Sequence, residues 1–200
     1  MARLLGRSGR PAALVILVAL AIACGPPRSS TPPGSAAATQ YDAYLCCTLR
    51  FNPSHEASDA NYDYRDKTVF PAGTRVRVFK TTTAYAEFVP ADDPTVYRIE
   101  FRYGRNAMHP GGYYGRLFVQ DDPLSRLPSD ASIRDAVREG RLVAGMTKEE
   151  ALMARGYPPA HRTPSTDADE WLYYASYNRC ERVRFANGRI ASIEPTPPPS

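Results

Sequence analysis

The first hydrophobic feature of the chain is an unbroken apolar run of twelve residues, 12–23 (AALVILVALAIA). A membrane-spanning helix needs about 20 apolar residues, so this run fits the h-region of an export signal. Arg3, Arg7 and Arg10 precede it as a positive n-region. Residues 24–40 are small, polar and rich in proline, without apolar periodicity, and read as a flexible stalk that cannot offset its own ordering entropy. From residue 41 alternation takes over. Residues 43–51, 74–81, 84–89, 95–103 and 116–119 read as strands, and within 74–81 Val76 and Val78 face one way while Arg75, Arg77 and Phe79 face the other. Turn signals at Pro71-Ala72-Gly73, Ala91-Asp92-Asp93-Pro94 and Pro110-Gly111-Gly112 separate them. Short strands at this spacing predict a small barrel or sandwich over 41–122.

The period changes at Pro123. Ser132 is positioned to cap a helix in which Ile133 and Val137 share a face and Gly140 is the stop. Thr147-Lys148-Glu149-Glu150 fits a capping box, and Gly156 with Pro158 and Pro159 ends that second helix. Strands are expected at 170–177, 179–186 and 189–193, the last two joined by Asn187-Gly188, a strong hairpin signal. Trp171, Tyr173, Val183, Phe185, Ile190 and Ile193 then make one apolar face. The expected fold class is α+β: an all-β unit over 41–122, an α-α-β-β-β two-layer unit over 123–195, and a loose tail at 196–200.

The whole chain carries 25 basic and 21 acidic side chains, but the first 23 residues hold three arginines and no acid. The remaining 22 against 21 are nearly balanced, so the exported chain lacks the basic footprint that nucleic-acid binding requires. If Cys24 is consumed at the export site, Cys46, Cys47 and Cys180 remain. Either one of the adjacent pair bridges to Cys180 in an oxidising compartment, or the three are buried thiols acting as small hydrophobes. Bonding between adjacent cysteines closes a strained ring and is disfavoured.

No catalytic, cofactor-binding or metal-ligating set emerges. His55, His109 and His161 are far apart in turn-like surroundings, Asp92-Asp93 and Asp121-Asp122 read as turn residues, and no C-x-x-C spacing supports zinc. Residues 111–115 (GGYYG) lack the strand-to-helix order of a phosphate loop and read as a long hairpin turn. Thirteen tyrosines are present; Tyr62, Tyr64, Tyr113 and Tyr114 fall in expected loops, where aromatic side chains suit a contact surface for a peptide, glycan or partner protein.

Two stretches carry a resemblance. Leu20-Ala21-Ile22-Ala23-Cys24-Gly25 resembles a bacterial lipobox, which implies lipidation of Cys24 with residues 1–23 removed as a signal peptide; Ala21-Ile22-Ala23 also reads as an A-x-A site for simple secretion. The Gly25 position, without the Asp that favours inner-membrane retention in enteric lipoproteins, points to the outer membrane. Further on, Gly145-Met146-Thr147 with Glu150, then Gly156 and Pro158, Trp171 and Tyr173, and Asn187-Gly188 resemble the BamE/SmpA/OmlA lipoprotein domain over about residues 132–194. Arg155 departs from the Leu usual in that family before the Gly-x-Pro stop. The segment Pro71-Ala72-Gly73-Thr74-Arg75-Val76-Arg77-Val78 is similar to the opening of bacterial SH3-like barrels.

These resemblances imply a non-catalytic, lipid-anchored protein of the cell envelope, facing the periplasm from the outer membrane. Its role would be scaffold or adaptor in outer-membrane protein assembly or envelope integrity, with a protein partner and no cofactor. The alternative is a secreted inhibitor or wall- or peptide-binding module without a lipid.

Overall fold

The computed structural model of the chain describes residues 40–64, 66–127, 130–176 and 178–197. Strands β1 (Tyr41–Leu45), β2 (Leu49–Phe51), β3 (Glu56–Ser58), β4 (Thr68–Phe70), β5 (Arg75–Thr81), β6 (Tyr85–Pro90) and β7 (Tyr97–Glu100) come first, followed by helix α1 (Pro110–Leu117) and strand β8 (Phe118–Val119). After a 3-10 turn at Pro123–Arg126, helices α2 (Ala131–Arg138) and α3 (Lys148–Arg155) precede strands β9 (Glu170–Ser176), β10 (Arg179–Ala186) and β11 (Arg189–Thr196). The architecture is mixed α+β.

Six strands form one sheet in the order β3-β7-β6-β5-β1-β8, antiparallel except where β3 runs alongside β7. The alternation expected for β5 is present: Val76 and Val78 are buried while Arg75 and Arg77 are exposed. The sheet is open, which corrects the expected barrel. Its apolar face is covered by Leu49 and Phe51 of β2 and by Tyr113, Tyr114 and Leu117 of α1, all part of the same core cluster, so burial is achieved without pairing the edge strands β3 and β8.

Two further expectations for this half are corrected. Residues 110–117 are a helix, so the half is not all-β and residues 111–115 are no hairpin turn. His109 caps the helix by accepting the amide of Gly111 at 3.1 Å, and Pro110 at the first helical position has its φ already set for a helix. Three glycines in so short a helix oppose it by propensity; burial of Tyr113, Tyr114 and Leu117 on one face overrides that cost. The strand expected over 43–51 is broken at Cys46-Cys47-Thr48, which sends β1 and β2 into different sheets.

The second half follows the expected α-α-β-β-β order. Asp130, not Ser132, caps α2, its carboxylate accepting the amides of Ser132 and Ile133. Ile133, Ala136 and Val137 lie at helical spacing on the buried face. The α3 capping box is complete: Thr147 Oγ1 accepts from Glu150 N at 3.2 Å, and Glu150 Oε2 accepts from Thr147 N at 2.7 Å. The sheet β11-β10-β9 presents Trp171, Tyr173, Val183, Phe185 and Ile190 to these helices.

The described residues belong to a single compact unit. The two halves are joined by polar bonds as well as by packing. Thr48 N donates to Met153 O at 2.9 Å, Asn61 Nδ2 donates to Arg155 O at 2.7 Å, and Arg155 Nη1 donates to Asn61 O at 3.3 Å. All of these groups lie at the buried seam, where an unmade hydrogen bond costs more than a made one gains.

Candidate functional site

The segment after β3 is shaped by two buried polar side chains. Asp59 accepts the amides of Arg102, Tyr103 and Gly104 at 3.1, 3.0 and 2.6 Å, tying this segment to the turn after β7. Asn61 adopts a positive φ of 45°, which asparagine tolerates better than most residues. Its amide oxygen accepts Arg50 N at 3.0 Å and its amide nitrogen donates to Thr48 O at 2.9 Å. Tyr62 and Tyr64 follow directly after these anchors, and the Tyr62 ring packs on Tyr103.

The result is an aromatic cluster at one end of the large sheet. The Tyr62 ring lies 6.0 Å from Tyr64, 6.1 Å from Tyr103 and 5.1 Å from Tyr174, and His161 stacks on Tyr103 at 5.4 Å and on Tyr174 at 6.0 Å. A groove of about 410 Å³ opens against it, lined by Tyr62, Tyr64, Tyr103, Asp63, Glu100 and Arg102 among others. The residues of β3, the terminal strand of the sheet, form part of its wall.

Electrostatics keep this surface uncharged at its centre. Burial first, and the hydrogen bond with Tyr103 next, push the Tyr62 hydroxyl well above the usual phenol range; burial also raises Tyr64. Desolvation, reinforced by Arg162, lowers His161, favouring a neutral imidazole at neutral pH. The wall carboxylates are matched by cations: Glu56 with Arg98 at 3.7 Å, Glu100 with Arg102 at 3.8 Å, and Asp63 with Lys67 at 2.9 Å. Half-buried tyrosine faces with hydroxyls held as donors suit non-covalent recognition of an extended chain, with apolar area and polar tips supplied together.

No family model, curated protein or solved structure matches the chain. The functional reading therefore rests on the geometry and on the motifs in the sequence.

Those motifs occupy distinct places. Gly145, Met146 and Thr147 lie against the start of β11, where Gly145 N donates to Ile190 O and Ile190 N to Met146 O. Gly156 ends α3, and its carbonyl accepts the Tyr173 hydroxyl at 2.9 Å. Pro158 and Trp171 are buried, and Asn187 and Gly188 both take positive φ in the β10–β11 turn. Glu150 caps α3 as described. This set builds the second core and none of it lines the groove. Cys24 lies outside the described residues, as do the expected signal peptide at 1–23 and nearly all of the expected stalk at 24–40. Cys46 and Cys47 are bonded to each other, the pairing the sequence disfavours, and Cys180 is a buried free thiol beside Tyr174.

Of the four loop tyrosines, Tyr62 and Tyr64 reach the groove; Tyr113 and Tyr114 are corrected to buried helix positions. His55 packs on Tyr97 and His109 is a helix cap. Tyr103, Asp59 and Asn61 were not signalled by any local pattern. What brings them together is long-range bonding between β3 and the end of β7.

Proposed function

We propose that this chain is a non-catalytic adaptor of the bacterial cell envelope, anchored by lipid on Cys24, which docks an extended segment of a partner protein in the groove of Tyr62, Tyr64 and Tyr103. The observation that carries the docking surface is the juxtaposition of three half-buried tyrosines with the terminal strand β3. A segment lying along β3 would bring its side chains to these rings, while the outward main chain of β3 is already engaged, Glu56 by Asn52 and the Ser58 carbonyl by Asn61 N. The envelope location rests on the apolar run at 12–23 and the lipobox-like residues that follow. The α-α-β-β-β half is read as BamE/SmpA/OmlA-like from its ordered motifs, and the first half as a distant SH3-like unit from residues 71–78. On that reading the partner belongs to outer-membrane protein assembly or envelope maintenance. The anchor raises the effective concentration of the groove for membrane-bound partners.

The A-x-A sequence before Cys24 favours a second reading, free secretion as an inhibitor or wall-binding module. Mass spectrometry of the mature N-terminus separates the two: an acylated Cys24 supports the anchor and an unmodified one the secreted form. The docking surface is tested by placing a photo-crosslinking amino acid at Tyr64 and, as a control, at exposed Val96. In intact cells a discrete adduct is expected from the Tyr64 position only. Identical adducts from both positions would remove the groove from the reading.

A further inference from the structure

The lining of the tyrosine groove is acidic. Glu56, Asp63 and Glu100 stand in it against one guanidinium, that of Arg102. The parallel register of β3 and β7 sets Glu56 opposite Arg98 and Ser58 opposite Glu100. Ala57 and Ile99 between them turn into the core, so Glu56 and Glu100 share the outer face of the sheet. Their side chains are 45% and 36% exposed. The cations beside them, Arg98 and Arg102, stand at 3.7 and 3.8 Å, beyond hydrogen-bond reach. Both carboxylates are therefore accessible acceptors.

The same sheet already holds two cations by a combination of ring and carboxylate. Lys80 and Arg98 lie 4.8 and 4.6 Å from the centroid of the Tyr85 ring, and both pair with Glu87, at 3.4 and 2.7 Å. The ring face is electron-rich and attracts the cation, while the carboxylate supplies the charge-assisted hydrogen bond. Arg98 spends Nε and Nη2 on Glu87, which leaves only its more distant Nη1 for Glu56. The groove offers the same two ingredients, tyrosine rings and carboxylates, with a single cation in its lining that is itself 62% exposed.

We infer that the segment this groove docks is basic, with lysine or arginine side chains laid against the tyrosine rings and hydrogen-bonded to Glu56 and Glu100. This rests on the docking reading above and adds to it the chemistry of the partner. An acidic segment would meet three carboxylates and one exposed guanidinium, a like-charge arrangement that opposes docking. Because Glu56 and Glu100 are exposed, each pairing contributes modestly and the charges act mainly on selectivity and encounter rate. The rings supply the contact area.

The test uses the full-length protein and two labelled serine-rich peptides, identical except that one carries lysine where the other carries glutamate. Binding is followed by fluorescence anisotropy at low salt and again with added salt. The lysine peptide is expected to bind about tenfold tighter, with the difference shrinking as salt screens it. Glu56→Gln and Glu100→Gln are each expected to weaken its binding about threefold, and Arg102→Gln to tighten it by a similar factor. Asp42→Asn removes the same charge from β1, away from the groove, and is expected to leave binding unchanged. Preference for the glutamate peptide overturns the inference, as does absence of saturable binding of the lysine peptide. Binding that no groove variant alters, or that Asp42→Asn weakens equally, overturns it too. Crosslinking at Tyr64 judges the docking reading separately: an adduct there whose captured segment is not basic keeps the groove and removes the charge assignment.

Discussion

Asn61 and Arg155 hold each other's main chain. Asn61 Nδ2 donates to the Arg155 carbonyl at 2.7 Å, and Arg155 Nη1 donates to the Asn61 carbonyl at 3.3 Å. The pair closes the seam between the segment after β3 and the end of α3. It also places the loop from which Tyr62 and Tyr64 project, so the same contact joins the two halves and shapes the groove.

Replacing Asn61 separates these effects. Asn61→Ala removes the bonds to Thr48 O, Arg155 O and Arg50 N and leaves a positive φ on a residue with a Cβ. A loss of about 3 kcal/mol is expected in urea unfolding, from unpaired buried groups and backbone strain together. Asn61→Gly loses the same bonds and keeps the backbone comfortable, so it is expected to be milder by about 1 kcal/mol. Equal losses in the two variants would show that the left-handed conformation contributes nothing.

Gly156 meets the same asparagine from the opposite side. Its φ is 87°, and a Cβ there would lie 2.8 Å from Asn61 Nδ2. Gly156→Ala therefore adds strain at the C-cap and displaces the Asn61 amide, at a cost of about 2 kcal/mol or more. A double variant with Asn61→Gly, which removes the obstructing amide, is expected to lose less than the sum of the single losses. Full additivity in denaturant midpoints would count against the contact.

Local signals were readable in the sequence where the bonds themselves are local. The Thr147–Glu150 capping box, the Asn187-Gly188 turn and the alternation of Val76 and Val78 each depend on residues a few positions apart. Helix α1 was not anticipated because Gly111, Gly112 and Gly115 argue against it, although His109-Pro110 is a start signal of the right kind. Its formation is decided by the core that buries Tyr113, Tyr114 and Leu117. The groove was half legible: loop aromatics pointed to Tyr62 and Tyr64, but Tyr103 joins them only because Asp59 gathers the amides after β7. Arg155 reads in sequence as a helix-end charge complementing the macrodipole, and in the fold it is a buried tie whose partners are far away in the chain.

Tyr114 gives a pH-dependent test. Its hydroxyl is buried with no hydrogen-bond partner among the described residues, and burial raises its pKa above the usual 10.0, as it does for Tyr62, Tyr113 and Tyr173. For a phenol whose folded pKa is raised, the unfolded chain loses its proton first as pH rises past about 10. Stability is then full below pH 10 and declines above it. Arg50, lowered to about 10, pulls the other way over the same range, since the unfolded chain keeps that proton longer. Four tyrosines outweigh one arginine, so alkaline unfolding is expected to begin above pH 10. Tyr114→Phe removes an idle hydroxyl and should stabilise the protein by about 1 kcal/mol at neutral pH while flattening the alkaline decline. Unchanged alkaline behaviour, followed by circular dichroism, would exclude Tyr114 as a contributor.

Tyr64 tests the groove without disturbing the seam. Its ring touches Tyr62 at the edge of the cluster, whereas Tyr62 and Tyr103 also pack against a buried core of Ala60, Tyr174 and Cys180. If the groove docks a partner segment, Tyr64→Ala removes a half-buried aromatic anchor from the contact. Affinity for the partner recovered by crosslinking is expected to fall by about tenfold or more, the scale of a truncated interface aromatic. The denaturant midpoint should change little, because few core contacts are lost. Tyr64→Phe keeps the ring and loses only the hydroxyl, so it is expected to retain most of the affinity. A Tyr64→Ala protein that binds its partner as tightly as the parent would place the docking surface elsewhere on the fold.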